Sequence, residues 1–143
     1  MRDRRLSLTI LAAFIFGLSP ALVANDGACM VETPLDSGQA VESARYRVSF
    51  RTWPEKIVIG EHFAVELRVC PRGNAPRPDH VRVDAQMPEH RHGMNYQATV
   101  TPQGEGRYRA EGMLFHMPGR WVFVFDVRAA GQTDRLTRSF ALE

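Results

Sequence analysis

Residues 63–69 read Phe-Ala-Val-Glu-Leu-Arg-Val, and this stretch shows the pattern that decides the fold. Apolar residues occupy every second position from Phe63 to Val69, and the charged residues Glu66 and Arg68 lie between them. An alternation with a period of two residues is typical of a β-strand that buries one face and exposes the other. The stretch is therefore predicted to be a strand.

Six further runs suggest strands and are separated by residues that favour turns. The runs cover residues 46–50, 81–85, 94–100, 108–114, 121–127 and 136–142. The run at 121–127, Trp-Val-Phe-Val-Phe-Asp-Val, starts apolar on both faces and suits a central strand. Turn-forming residues cluster at 71–78, 102–106 and 117–120, where Pro118-Gly119 suits a type II turn. About seven short strands predict an all-β, two-sheet sandwich of the immunoglobulin or cupredoxin type, with a small barrel as the alternative.

The first 24 residues have the three-part build of a secretory signal peptide. Arginines at positions 2, 4 and 5 precede an almost unbroken apolar run from Leu6 to Leu18, and Ala24 precedes the best cleavage point. The apolar run is shorter than the roughly 20 residues that span a bilayer. We therefore expect an N-terminal signal helix and a periplasmic or secreted protein. The alternative is a retained anchor, which would hold the same domain at a membrane.

The charge balance argues against a nucleic-acid binder. The chain has 18 basic and 16 acidic residues, and removal of residues 1–24 leaves 15 of each. A nucleic-acid-binding domain needs a basic face. The basic residues are nearly all arginines that alternate with apolar residues, which predicts the solvated faces of a sheet.

Two cysteines, Cys29 and Cys70, remain after the signal segment. An exported chain meets oxidising conditions, so a disulfide is expected. It would close a loop of about 40 residues, for which chain entropy gives a stabilisation of roughly 4 kcal/mol. A pair of thiolate metal ligands is the alternative. The mature chain suffices for one domain, which we place at 45–143, after an irregular leader at 25–44.

Histidine and methionine cluster in two short segments. Residues 87–94 read Met-Pro-Glu-His-Arg-His-Gly-Met, and residues 113–117 read Met-Leu-Phe-His-Met. Three of the five histidines of the chain fall in these segments. The segments connect different pairs of predicted strands and converge if both connections lie at one end of the sandwich. The candidate metal ligands are His90, His92, Met94, His116, Met117 and Met87.

Imidazole and thioether together favour copper. Thioether sulfur is soft and suits Cu(I), whereas imidazole binds both Cu(I) and Cu(II). His90 and His92 are two residues apart, so in an extended segment their rings point to one side. Glu89 is either an oxygen ligand or a residue that orients a ring. A blue-copper centre is not expected, because it needs a cysteine thiolate beside two histidines.

A purely structural interpretation of the same residues stays open. Methionine can fill a gap in a core, a histidine at a turn can bind backbone, and Met113 has the opposite parity to His116. His62 and His80 are isolated and are expected at the surface. No nucleophile elbow, phosphate loop, dinucleotide fingerprint or His-Glu-x-x-His motif is present, so we do not expect an enzyme.

Two segments carry a family resemblance. The strings Met87-Pro88-Glu89-His90-Arg91-His92-Gly93-Met94 and Met117-Pro118-Gly119-Arg120-Trp121, with their flanks, resemble the YtkA-like family of small exported β-sandwich domains. The resemblance runs from about Tyr46 to the C-terminus. It implies an immunoglobulin-like sandwich in an envelope setting linked to metal or copper handling.

Two functions follow as expectations. The first is a periplasmic copper-binding accessory or chaperone-type domain that holds a copper ion with the His/Met cluster. The second is an envelope interaction domain without metal, which supports a redox or assembly complex and packs Trp121 and Tyr96 beneath its recognition edge. Convergence of His90, His92 and His116 would favour the first.

Overall fold

The computed structural model describes Cys29, Leu35 and residues 38–143. The expected signal peptide and signal helix at 1–24 lie outside the described residues. Nine strands are present in this part of the chain: β1 (Gln39–Glu42), β2 (Tyr46–Trp53), β3 (His62–Pro71), β4 (His80–Met87), β5 (His92–Gly93), β6 (Thr99–Gly104), β7 (Arg107–Leu114), β8 (Gly119–Ala129) and β9 (Gln132–Leu142). Among these residues no helix has the length and apolar character needed to cross a bilayer.

The strands form two antiparallel sheets. The five-stranded sheet has the order β1-β2-β3-β7-β6, and the four-stranded sheet has the order β5-β4-β8-β9. Every pairing is antiparallel. The all-β, two-sheet prediction is confirmed for the described residues. The small-barrel alternative is wrong, because these strands form two separate sheets and not one closed sheet.

The core lies between the sheets and is built from alternate residues of the strands. Phe50 of β2 contacts Phe125 of β8 across the core, with ring centroids 4.7 Å apart. Phe115 stacks on Trp121 at 4.4 Å, and both side chains are fully buried. Aromatic pairs of this kind add to the burial of apolar area, which is the main stabilising contribution.

Two predicted boundaries need correction. The leader at 25–44 is not irregular throughout, because β1 lies within it and pairs with β2. The predicted strand at 94–100 is wrong over 94–98, where the chain leaves one sheet and crosses to the other. Its regular part begins at Thr99 and continues through Pro102, which an edge strand tolerates because its outer N–H position needs no partner.

Arginines on the outer faces are mostly paired with acids. Glu66 accepts from Arg51 and from Arg109, each at 2.7 Å. Such exposed pairs contribute about 0–1 kcal/mol each. Arg68 departs from the predicted solvated face, because it is only 3% exposed.

The predicted disulfide between Cys29 and Cys70 is present. The two Cα atoms lie 5.7 Å apart, which is the usual separation for a disulfide. Cys70 lies near the last residue of β3, whereas His62 begins that strand at the other end of the sheet. We call the end of the sandwich near Cys70 the disulfide end and the end near His62 the histidine end.

Candidate metal centre

Two loops meet at the histidine end. Residues 88–91 connect β4 to β5, and residues 115–118 connect β7 to β8. β4 and β8 are neighbours in one sheet, so the end of β4 and the start of β8 lie side by side. This pairing brings the two His/Met segments together.

Three imidazole rings are neighbours at this place. The ring centroid of His92 lies 5.7 Å from that of His90 and 5.1 Å from that of His116. Two imidazoles that bind one ion, each through a nitrogen about 2 Å from the metal, have ring centroids on the order of 5 to 6 Å apart. The centroid distances from His92 to His90 and from His92 to His116 are therefore both compatible with two imidazoles that bind one ion.

The segment that carries His90 and His92 forms a turn. The expectation of an extended segment, which was drawn from their two-residue spacing, is therefore wrong. The His90 N–H donates to the Met87 carbonyl at 3.1 Å, and Arg91 has a φ of 56°. β5 then fixes His92, which is the register partner of Met87. The two rings thus approach each other through a tight turn and not through strand alternation.

The loop that carries His116 is anchored on both sides. The Gly60 N–H donates to the Phe115 carbonyl at 2.8 Å. The Trp121 indole N–H donates to the Met117 carbonyl at 3.1 Å. Phe115 is fully buried, so His116 projects from a backbone held at its preceding and following residues.

Trp121 therefore positions the loop, in addition to packing in the core as the sequence suggested. Its ring lies 5.6 Å from His116 and 6.2 Å from His92, edge to face in both cases. The loop-holding role was not predicted. The spacing of four residues between Met117 and Trp121 is the sequence signal that could have indicated it.

Two ring nitrogens have the properties of metal ligands. His92 Nδ1 lies 3.1 Å from the Gly93 carbonyl, and a carbonyl can only accept. Nδ1 therefore carries the proton in this hydrogen bond, which leaves the Nε2 lone pair of the neutral ring available. His116 Nδ1 is buried and has no hydrogen-bond partner among the described residues.

An unpaired buried nitrogen is costly. Leaving such a polar atom without a partner costs about 1–3 kcal/mol, and a bound ion would satisfy it. The orphaned Nδ1 of His116 thus fits a metal ligand.

The methionines divide into two groups. Met94 and Met117 are partly buried and pack at the margin of the core. Met87 and Met113 are fully buried within it. A Cβ on Gly119 would lie 2.8 Å from Met87 Cε, so Met87 packs tightly against the start of β8. The expected core role of Met113 is confirmed, and Met87 has a core role beside its candidacy as a ligand.

Oxygen ligands are not gathered at this end. The Glu89 carboxylate lies 3.5 Å from Arg120 Nε, and both side chains are more than 60% exposed. Within residues 38–143 and Cys29, no three His, Cys, Asp or Glu side chains form a ready metal-binding group, and this includes His90, His92 and His116. The three rings are therefore neighbours without forming a three-histidine centre, and a metal site at this end would need thioether beside two of the imidazoles.

The remaining predicted residues lie apart from the three rings. His62 and His80 are exposed, as expected, and the ring of His62 lies 6.0 Å from that of Tyr96. The expectation that Tyr96 packs beneath the loops is wrong, because its side chain is 56% exposed in the crossing segment after β5.

The fold and the ring cluster define a small two-sheet β-sandwich with two histidine-bearing loops at one end. The profile of the YtkA-like family matches residues 40–124. The chain therefore belongs to the YtkA-like family. Neither the curated proteins nor the solved structures compared with the chain give a match.

Proposed function

We propose that this protein is a copper-binding accessory or chaperone-type domain of the cell envelope. His92 and His116 supply the imidazole ligands, with His90 beside them. Met94 and Met117 supply thioether, and Met87 is a further sulfur behind them. The proposal is carried by the buried Nδ1 of His116, which has no partner among the described residues, and by the 5.1 Å between the ring centroids of His92 and His116.

Ligand chemistry supports copper over zinc. Structural zinc sites use four ligands drawn from thiolate, imidazole and carboxylate. The two cysteines are joined in the disulfide, and Glu89 is engaged with Arg120. Imidazole with thioether suits copper, and thioether favours the Cu(I) state.

The setting and the fold type belong to the same proposal. A signal-type sequence at 1–24 and a disulfide support an exported, periplasmic or secreted domain. We further propose that the sandwich is of the immunoglobulin or cupredoxin type. The two cavities outlined by the described residues are lined by residues other than the candidate ligands, which supports carriage of the ion in preference to catalysis.

Competitive titration tests the proposal. The domain after residue 24 is titrated with Cu(I) and with Cu(II) against a chromogenic chelator. We expect one copper per chain, held more tightly as Cu(I). A His90→Ala, His92→Ala and His116→Ala triple variant should bind at least tenfold more weakly, because it lacks all three imidazoles.

The matched control uses the other two histidines. A His62→Ala and His80→Ala double variant removes the two exposed imidazoles outside the three-ring cluster and should bind copper like the wild type. Equal copper affinity of the wild type and the triple variant would overturn the proposal.

A second candidate function is an interaction domain without metal. Large apolar side chains are exposed near the same end: Trp53 is 61% exposed and Tyr96 is 56% exposed. Exposed aromatic residues are typical of protein interfaces. In this alternative the two loops form a recognition edge for an envelope redox or assembly complex.

Affinity capture from envelope extracts separates the two functions. A partner whose recovery is unaffected by copper, by a chelator and by the triple histidine variant would favour the interaction domain. Recovery of no partner in any of these conditions would count against it.

A further inference from the structure

Trp121 lies beside the two imidazoles on which the proposed function depends. Its ring centroid is 5.6 Å from that of His116 and 6.2 Å from that of His92, and its side chain is fully buried. The other tryptophan of the chain, Trp53, is 61% exposed at the end of β2. Trp121 is therefore placed to act on an ion that these two imidazoles share.

Three centroid distances limit the position of such an ion relative to the indole. The centroids of His92 and His116 are 5.1 Å apart, so their midpoint is about 5.3 Å from the Trp121 centroid. An ion about 2 Å from one nitrogen of each ring lies within about 2 Å of that midpoint. It is then roughly 3 to 7 Å from the Trp121 centroid, and the nearer part of this range lies within the roughly 6 Å of a cation–π contact.

One face of the indole is already covered by the core. Phe115 stacks on it, with ring centroids 4.4 Å apart and an angle of 26° between the planes. The indole N–H is also engaged, because it donates to the Met117 carbonyl. A cation that contacts the π-system of Trp121 therefore does so over the face opposite Phe115.

The ligands of the proposed site bring no negative charge to the ion. Neutral imidazole and thioether are uncharged, and Glu89, the only acid in residues 88–91 and 115–118, pairs with Arg120 at 3.5 Å. Burial of a cation without a compensating charge is unfavourable, and the cost rises steeply with the charge of the ion. The negative face of an indole compensates in part, and more so in a desolvated place than at a surface. This arrangement favours a univalent ion over a divalent one.

We propose that the face of Trp121 makes a cation–π contact with the copper ion and that this contact makes the site selective for Cu(I). The proposal rests on the proposed function, in which His92 and His116 bind the ion. Trp121 then has two roles, because its N–H holds the His116 loop through Met117 and its π-face acts on the ion. A purely structural Trp121 would have the first role only.

Fluorinated tryptophan separates the two roles. Fluorine on the benzo ring weakens the negative potential of the π-face, whereas the indole keeps its N–H donor and nearly its shape. The domain after residue 24 is produced with tryptophan, 5-fluorotryptophan or 5,6,7-trifluorotryptophan at position 121 alone. Competition with a chromogenic chelator then measures the Cu(I) affinity. We expect a stepwise loss that reaches roughly three- to thirtyfold for the trifluorinated side chain.

The matched control places the same fluorinated residues at position 53 alone. Trp53 is exposed and has no ring contact with the three imidazoles among the described residues, so the Cu(I) affinity should not change along this series. Cu(II) is the second control at position 121. It prefers a tetragonal set of nitrogen and oxygen ligands, so its affinity should change by less than about twofold.

A spectroscopic readout tests the contact without fluorine. In a Trp53→Phe chain, Trp121 is the only tryptophan. Addition of Cu(I) should perturb its near-ultraviolet absorption, and the perturbation should saturate at one ion per chain. The triple histidine variant in the same background should show no such saturation.

The outcomes distinguish this proposal from the proposed function. Equal Cu(I) affinity along the series at position 121, with the triple histidine variant still weakened, would overturn the contact and leave the proposed function intact. Equal losses for Cu(I) and Cu(II), or the same loss from fluorine at position 53, would overturn the selectivity. A triple histidine variant that binds copper like the wild type would overturn the proposed function itself.

Discussion

At the scale of single residues, Gly119 connects the candidate site to the core. It begins β8 directly after the loop that carries His116, and its φ is +129°, a conformation that side chains disfavour. A Cβ at this position would lie 2.8 Å from Met87 Cε. The residue therefore has both a conformational and a packing reason to be glycine.

We expect Gly119→Ala to lower the free energy of unfolding by about 2–4 kcal/mol, since it adds backbone strain to an overpacked contact. Urea unfolding measures the change. Gly131→Ala is the matched control, because Gly131 has a φ of +75° but nothing within 4 Å of its added Cβ. It should cost about 1–2 kcal/mol from strain alone. Equal losses in the two variants would show that the Met87 contact does not matter.

Asp126 links acid stability to a defined ion pair. Arg135 donates to its carboxylate at 2.7 and 2.9 Å. These hydrogen bonds, aided by the charges of Arg135 and Arg82, hold the pKa of Asp126 below its usual value although burial opposes them. A carboxyl whose pKa falls on folding stabilises the native state above its unfolded pKa, which is about 3.9.

We therefore expect stability to fall as the pH drops below about 5 and through the lower native pKa of Asp126. Asp126→Asn should show a shallower loss over this range, because the amide does not titrate. Urea unfolding at a series of pH values gives the slope. An unchanged slope in Asp126→Asn would contradict this account.

At the scale of elements, the sequence indicated strands wherever one face is buried. β3 and β8 carry uninterrupted alternating or apolar runs, and both are central strands of their sheets. β1 was missed because it is a four-residue edge strand without a clear alternation. Residues 94–98 alternate in sequence but cross between sheets, and periodicity alone cannot tell a crossing segment from a strand.

The candidate site was predictable in composition but not in geometry. Residue types picked out His90, His92 and His116, and the pairing of β4 with β8 explains their approach. The turn at Arg91 and the hydrogen bond from Trp121 to the Met117 carbonyl are local, but residue type alone does not fix their geometry. The burial of the His116 Nδ1 depends on how distant strands pack, and no local pattern encodes that packing.

At the scale of the whole molecule, the disulfide and the candidate copper site occupy opposite ends. Cys29 is joined to Cys70 near the end of β3, whereas the three imidazoles lie beyond the start of that strand. Sites that are far apart and share no partner usually contribute independently to stability.

We expect a Cys29→Ser and Cys70→Ser variant to lose roughly 4 kcal/mol of unfolding free energy, because the unfolded chain regains the freedom of a long loop. Its copper affinity, measured by the same chelator competition while the domain is folded, should equal that of the wild type. The triple histidine variant serves as the reciprocal control and should keep the stabilisation from the disulfide. A loss of copper affinity in the folded disulfide-free variant would show that the two ends are coupled.

The position of the Cys29–Cys70 link also makes the domain directional. β3 has ten residues, so its two ends are about 30 Å apart. A protein that binds the chain before Cys29 would hold the domain at its disulfide end and leave the imidazoles at the opposite, histidine end. Under the proposed function, a protein that donates or accepts copper could then reach the imidazoles without a rotation of the domain.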